Sequence, residues 1–204
     1  MTLSTCNAAR CTLAAPLLAV LAVGCAEGPV KTDPAMLASL RESLVLASEP
    51  DGAVTPLEWR EEREAADSDG SAQPVAEDRS VVLVGRVGGM PSPWGADTEP
   101  DFPFRTGEAT FFLVDPATAA EFDSRAAEEG GDDHAADCPF CAREAANQAS
   151  AVATVTVSQH SAPMAIDARE LFELEGGDLV VVRGAWSLAG DALVVEADGV
   201  YRRN

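Results

Sequence analysis

Apolar positions along the chain follow three rhythms. The first is a solid block from Leu13 to Val23. The second has helical spacing: Met36, Leu37, Leu40 and Leu44 fall on one face behind Thr32-Asp33-Pro34, which predicts a helix capped by Thr32 or Asp33 with Pro34 in its first turn. A shorter helix is expected over Pro56 to Ala66, capped by Thr55 and anchored by Leu57 and Trp59, after the break at Ser48-Glu49-Pro50-Asp51-Gly52. Asp67 to Asp78 is polar and contains Gly, Ser and Pro, so it reads as a linker.

The third rhythm is β-branched. Val81 to Val87, Ala109 to Val114, Ala151 to Val157, Asp178 to Gly184 and Ala192 to Tyr201 each read as a strand bounded by Gly, Pro or Asp. Between them lie a Pro-rich loop (Met90 to Phe104), an acidic, Gly-containing excursion (Ala119 to Asp137), a helical stretch (Pro139 to Ser150) and a short capped helix (Asp167 to Leu174) ending at Gly176-Gly177. Leu188-Ala189-Gly190-Asp191 turns the fourth strand into the last. Five strands with a helix between the third and fourth predict a mainly β chain with short helices. The expected architecture is an OB-like five-stranded small barrel preceded by an N-terminal helical segment. Glycines at a sharp bend and a tight turn suit the corners of such a barrel; an incomplete sandwich is the rival. The expected divisions are 1–24, 25–78 and 79–204.

The block from Leu13 to Val23 is about half the ~20 residues that a membrane-spanning helix needs. Arg10 precedes it, and Leu21-Ala22-Val23-Gly24-Cys25 closes it. A basic residue, a short apolar stretch, small side chains and then Cys predict a cleaved bacterial lipoprotein signal peptide. Cys25 would then carry the diacylglyceryl group, and more than one acyl chain anchors far better than a single one. This places the rest of the chain at the cell envelope, extracytoplasmic and held to a membrane. Ala26, after the lipidated Cys, favours the outer membrane where two membranes exist.

Charge narrows the partners. The chain has 14 basic and 34 acidic side chains, and removing the leader takes away Arg10 and no acid. Phosphate backbones are bound through Lys and Arg that release counterions, so nucleic acid is disfavoured as a partner. The acids themselves read as a solvated surface.

Of five cysteines, Cys6 and Cys11 leave with the leader and Cys25 takes lipid, which leaves Cys138 and Cys141 in an oxidising compartment. They end the segment Asp132-Asp133-His134-Ala135-Ala136-Asp137-Cys138-Pro139-Phe140-Cys141. Two thiolates and His134 can face one ion; Asp137, Asp133 or the distant His160 could complete a tetrahedral Zn site, and a cuprous ion would also accept such donors. Alternatively Pro139 starts a helix, and amides at its N-terminus would lower a thiol pKa and favour disulfide exchange. A structural disulfide is the third reading, although so small a loop gains little entropic stabilisation.

Weaker constellations add little. Ser158, His160 and Asp167 supply the letters of a hydrolase triad without a nucleophile elbow. Gly85-Arg86-Val87-Gly88-Gly89 lacks the Lys-Ser/Thr of a phosphate loop. Trp94, Phe102 and Phe104 in the Pro-rich loop are either a plug over the core or a stacking platform at the barrel mouth.

The segments VVLVGRVGG, ATFFLVDPA, DCPFCAREAA, IDARELFELEGGDLVVVRG and LVVEADGVYRR, in this order between Leu37 and Arg203, resemble an uncharacterised family of exported, often lipidated bacterial proteins with an OB-like core. The resemblance implies a fold and a location, and no chemistry. Together these readings predict a membrane-anchored envelope lipoprotein, more a binding module for a small ligand or a protein than an enzyme. The alternative is an exported thiol-disulfide or metal-transfer factor using Cys138 and Cys141.

Overall fold

Five strands build the centre of the molecule, each from a run whose alternate residues face inward. The computed structural model describes residues 32–68, 79–128 and 139–203. Its contacts divide the chain into Met1–Val30, outside the described residues, and Lys31–Asn204, to which everything below belongs.

β1 (Ser80–Val87) and β2 (Thr110–Val114) are followed by β3 (Val152–Thr156). A two-residue hairpin, β4 (Ser158–Gln159) and β5 (Ala162–Pro163), comes next. β6 (Leu179–Ala189) and β7 (Ala192–Arg202) close the chain. The large sheet runs β1-β2-β3-β7-β6 and returns to β1, so the five-stranded sheet closes on itself. The β3–β7 pairing is parallel; the other four are antiparallel.

Inside lie Leu83 and Val87, Phe111 and Leu113, Ala153 and Val155, Val180 and Val182, and Leu193 and Val195. The period of two along each strand is the sequence cause of this packing. Closure demands a sharp bend in β6, and the register shifts between Arg183 and Gly184. Only glycine fits there, because a Cβ on Gly184 would lie 2.2 Å from the Glu196 carbonyl oxygen. Gly85 serves a similar purpose inside the sheet, where a Cβ would stand 2.5 Å from Leu113 Cγ.

The helices seal this sheet. α1 (Pro34–Leu44) is capped by Asp33, whose carboxylate accepts from Ala35 N at 3.0 Å. It lays Leu37, Leu40 and Leu44 on the core, whereas Met36 stays 45% exposed, off the face expected for it. Arg41 then reaches α5 (Ala168–Phe172), donating to the carbonyls of Glu170 at 2.6 Å and Leu171 at 3.1 Å. α2 (Pro56–Ser68) opens on a reciprocal cap: Glu58 N donates to Thr55 Oγ1 at 3.2 Å and Thr55 N to Glu58 Oε2 at 2.8 Å. Its Trp59 meets Trp186 edge-on at 4.9 Å.

Two expectations change. The acidic excursion from Ala119, for which the sequence predicts no element, begins within a regular helix, α3 (Pro116–Glu128). Asp115 caps it, accepting from Ala117 N and Thr118 N at 3.0 Å each. The 56–68 and 116–128 helices are each 13 residues long, so the chain is mixed helix and sheet rather than mainly strand. β6 also runs five residues past Gly184, to Ala189; of these five only Trp186 is buried, so the continuous apolar signal is lacking.

Candidate functional site

The outer face of β2 and β3 is divided between a covered half and an open half. Over the covered half, α3 and α4 (Pro139–Asn147) place Ala119, Phe122 and Ala145 on Phe112, Val114 and Val152. α3 is tied to β1 by the Arg86–Asp123 ion pair and to α4 by Arg125–Glu144 at 3.3 Å. Over the open half lies a cleft of about 350 Å³. That is the small end of the ~300–1,000 Å³ typical of small-molecule sites.

Each wall has a structural cause. The floor is a threonine row from two adjacent strands, Thr110, Thr154 and Thr156, with the hydroxyls of Thr110 and Thr156 3.1 Å apart. One wall is the loop between β1 and β2, which doubles back on β2: Phe112 N donates to Pro103 O at 2.8 Å and Arg105 N to Thr110 O at 3.0 Å. The opposite wall is the β6–β7 turn with Ala189, Ala192 and Val194. Arg60 of α2 holds that turn by donating to Asp191 O at 2.8 Å. Pro163 of the β4–β5 hairpin also lines the cleft.

Phe112 joins the two halves. Its ring is buried and carries Trp94 at 5.2 Å, tilted by 45°, and Phe102 at 5.2 Å, nearly parallel. The Arg105 guanidinium lies 5.6 Å from the same ring. Arg105 is paired with Glu99, and its Nε donates to Glu99 Oε2 at 3.2 Å. That hydrogen bond, more than the charges of Glu99 and Glu108, holds the guanidinium pKa above its ordinary value against the cost of partial burial. The cleft therefore presents a fixed cation–carboxylate pair beside a half-buried indole.

The three aromatic residues of the loop have parted. Phe104 is inside the core, where Arg169 lies 5.3 Å from its ring, so it is the plug. Trp94 and Phe102 are outside on Phe112, and Trp94 lines the cleft. Phe112 itself was not singled out by the sequence, because a Phe in an all-apolar strand run gives no sign of facing outward.

Cys25, Asp133, His134, Asp137 and Cys138 lie outside the described residues. Cys141 falls in the first turn of α4, which opens at Pro139 as the sequence suggested. His160 is exposed in the β4–β5 turn with φ of 55°. Among the described residues no group of three or more His, Cys, Asp or Glu is placed to hold a metal ion. Asp167 is committed to capping α5, accepting from Arg169 N at 2.9 Å and from the Arg169 side chain at 2.6 Å, rather than serving Ser158 and His160. No helix among the described residues is long and apolar enough to cross a membrane. The chain matches no protein-family model and no curated protein sequence.

Proposed function

We propose that the protein is an exported, lipid-anchored binding module, an OB-like small barrel acylated at Cys25 whose ligand site is the cleft on β2 and β3. The observation that carries the reading is the position of that cleft. It lies on the outer face of the second and third strands, between the first interstrand loop and the final turn. OB-like barrels use this same face and these same two loops for binding. The strand order β1-β2-β3-β7-β6, the parallel β3–β7 pair and α5 before β6 support the OB-like reading. The leader and Cys25 support export, and they favour the family of exported lipoproteins that the sequence resembles.

A substitution that fills the cleft without touching the core tests the reading. Thr154 is half-buried on the outer face, so Thr154→Phe should block binding while the barrel stays folded. A ligand whose binding is indifferent to this change would place the site elsewhere.

A second reading, a thiol-disulfide or metal-transfer factor, draws on one observation: α4 opens at Pro139 with Cys141 in its first turn. Exposed amides at a helix start favour a thiolate. Elemental analysis for zinc and copper, with thiol titration before and after mild reduction, tests it. A stably oxidised pair without metal would remove it.

A further inference from the structure

Resting on the cleft being the ligand site, we infer that its ligand is a neutral oligosaccharide. The first argument is charge. Of the described residues lining the cleft, only Glu99 and Arg105 are charged, and they are paired with each other. A chain with a net charge of −20 thus holds a cleft without net charge. A phosphate or carboxylate ligand would meet a cation already answered by Glu99, inside a repulsive field. A cationic ligand would compete with Arg105 for the single carboxylate.

The second argument is the division of the lining. Threonine hydroxyls, which both donate and accept, face the cleft at Thr154 and Thr156, and the buried Thr110 hydroxyl bonds to that of Thr156. The Arg105–Glu99 pair adds planar donors and acceptors at one side. A fatty chain would offer nothing to the hydrogen-bonding capacity that these groups keep beyond their bonds to one another, and would desolvate it at a cost. A sugar ring offers hydroxyls around its rim and C–H groups on its face. The face suits Trp94, because aromatic faces are electron-rich and attract the positive ends of C–H bonds. The Phe112 ring, 5.2 Å away, holds Trp94 in place, so the platform needs little ordering when a ligand arrives.

Trp94 also supplies the readout. Trp59 and Trp186 are 7% and 8% exposed, so a ligand in the cleft reports through Trp94. Full-length protein extracted in detergent is titrated with cellotetraose, maltotetraose and the tetramer of N-acetylglucosamine, following tryptophan emission and heat. The inference expects saturable binding of at least one tetrasaccharide, weakened about tenfold or more by Thr154→Phe and, by calorimetry, by Trp94→Ala. Thermal unfolding near that of the wild type checks that each variant is folded. Parallel titrations use dodecathymidylate, a neutral tetrapeptide and laurate. If one of these binds, is blocked by Thr154→Phe, and no saccharide binds, the sugar assignment falls and the cleft remains the site. If no probe binds, or if Thr154→Phe changes nothing, the cleft reading falls with it.

Discussion

Trp94 rests on Phe112 across the edge of the cleft, ring centroids 5.2 Å apart and planes tilted by 45°. One residue comes from the loop after β1 and the other from the middle of β2, so the contact fixes the loop to the strand it overhangs. Phe112 is 1% exposed although it points away from the barrel interior. Phe112→Ala is expected to cost ~3–5 kcal/mol, the range for deleting a fully buried aromatic ring. Denaturant unfolding measures this; a cost below about 1 kcal/mol would mean that the outer cluster is not structural.

Gly184 is expected to tolerate no side chain. Its missing Cβ faces backbone atoms, Glu196 O at 2.2 Å and Ala197 Cα at 2.9 Å, and backbone cannot swing aside as a flexible side chain would. Gly184→Ala should therefore destabilise by about 1–3 kcal/mol or more, the usual range for overpacking. Unfolding curves unchanged from the wild type would show that the β6–β7 bulge relaxes freely.

Asp167 links stability to pH. Hydrogen bonding from the Arg169 side chain, together with the backbone amides of Arg169 and Gly107, holds its carboxyl below the ordinary value of 3.8 despite partial burial. A carboxyl depressed on folding favours the ionised folded state. Its contribution is whole above the unfolded value, near pH 4, and is lost as the pH falls from there through the lower folded value. Asp167→Ala should lower the melting temperature at neutral pH, with a cap loss of roughly 1 kcal/mol. It should also make the loss of stability as the pH falls below about 4 shallower than in the wild type. Parallel acid curves for the two proteins would contradict this.

Cys25 is expected to bear lipid. Palmitate fed to cells should label the protein and fractionate with membranes, and Cys25→Ala should abolish the label. Unlabelled protein carrying its intact N-terminus in the cytosol would contradict export, and Cys138 and Cys141 would then belong to a reducing compartment.

The sequence carried the strands and hid the site, and the reasons differ by element. β-branched runs such as Val81–Val87 announce themselves because each residue packs on at least one face. The Asp115-Pro116 pair was legible as a strand stop, yet the same two residues start α3; the acids and glycines further on obscured Ala119 and Phe122 on its buried face. The β4–β5 turn uses His160 and Ser161 at positive φ, where the recognisable pair would be Asn-Gly, and so escaped notice. The cleft is a different case. Trp94, Thr110, Thr154 and Val194 come from four separate segments, and only the pairing of β2 with β3 and of β3 with β7, with the loop folded back on β2, brings them together. Of the residues chosen for their chemistry, Trp94 alone lines the cleft.

Hydrogen exchange tests the cleft most directly. Full-length protein with a bound ligand should show slower exchange than without it in peptides covering 94–105 and 152–156, and Thr154→Phe should erase that difference. Protection confined to other segments, or equal protection in the variant, would contradict a binding site between the β1–β2 loop and the β6–β7 turn.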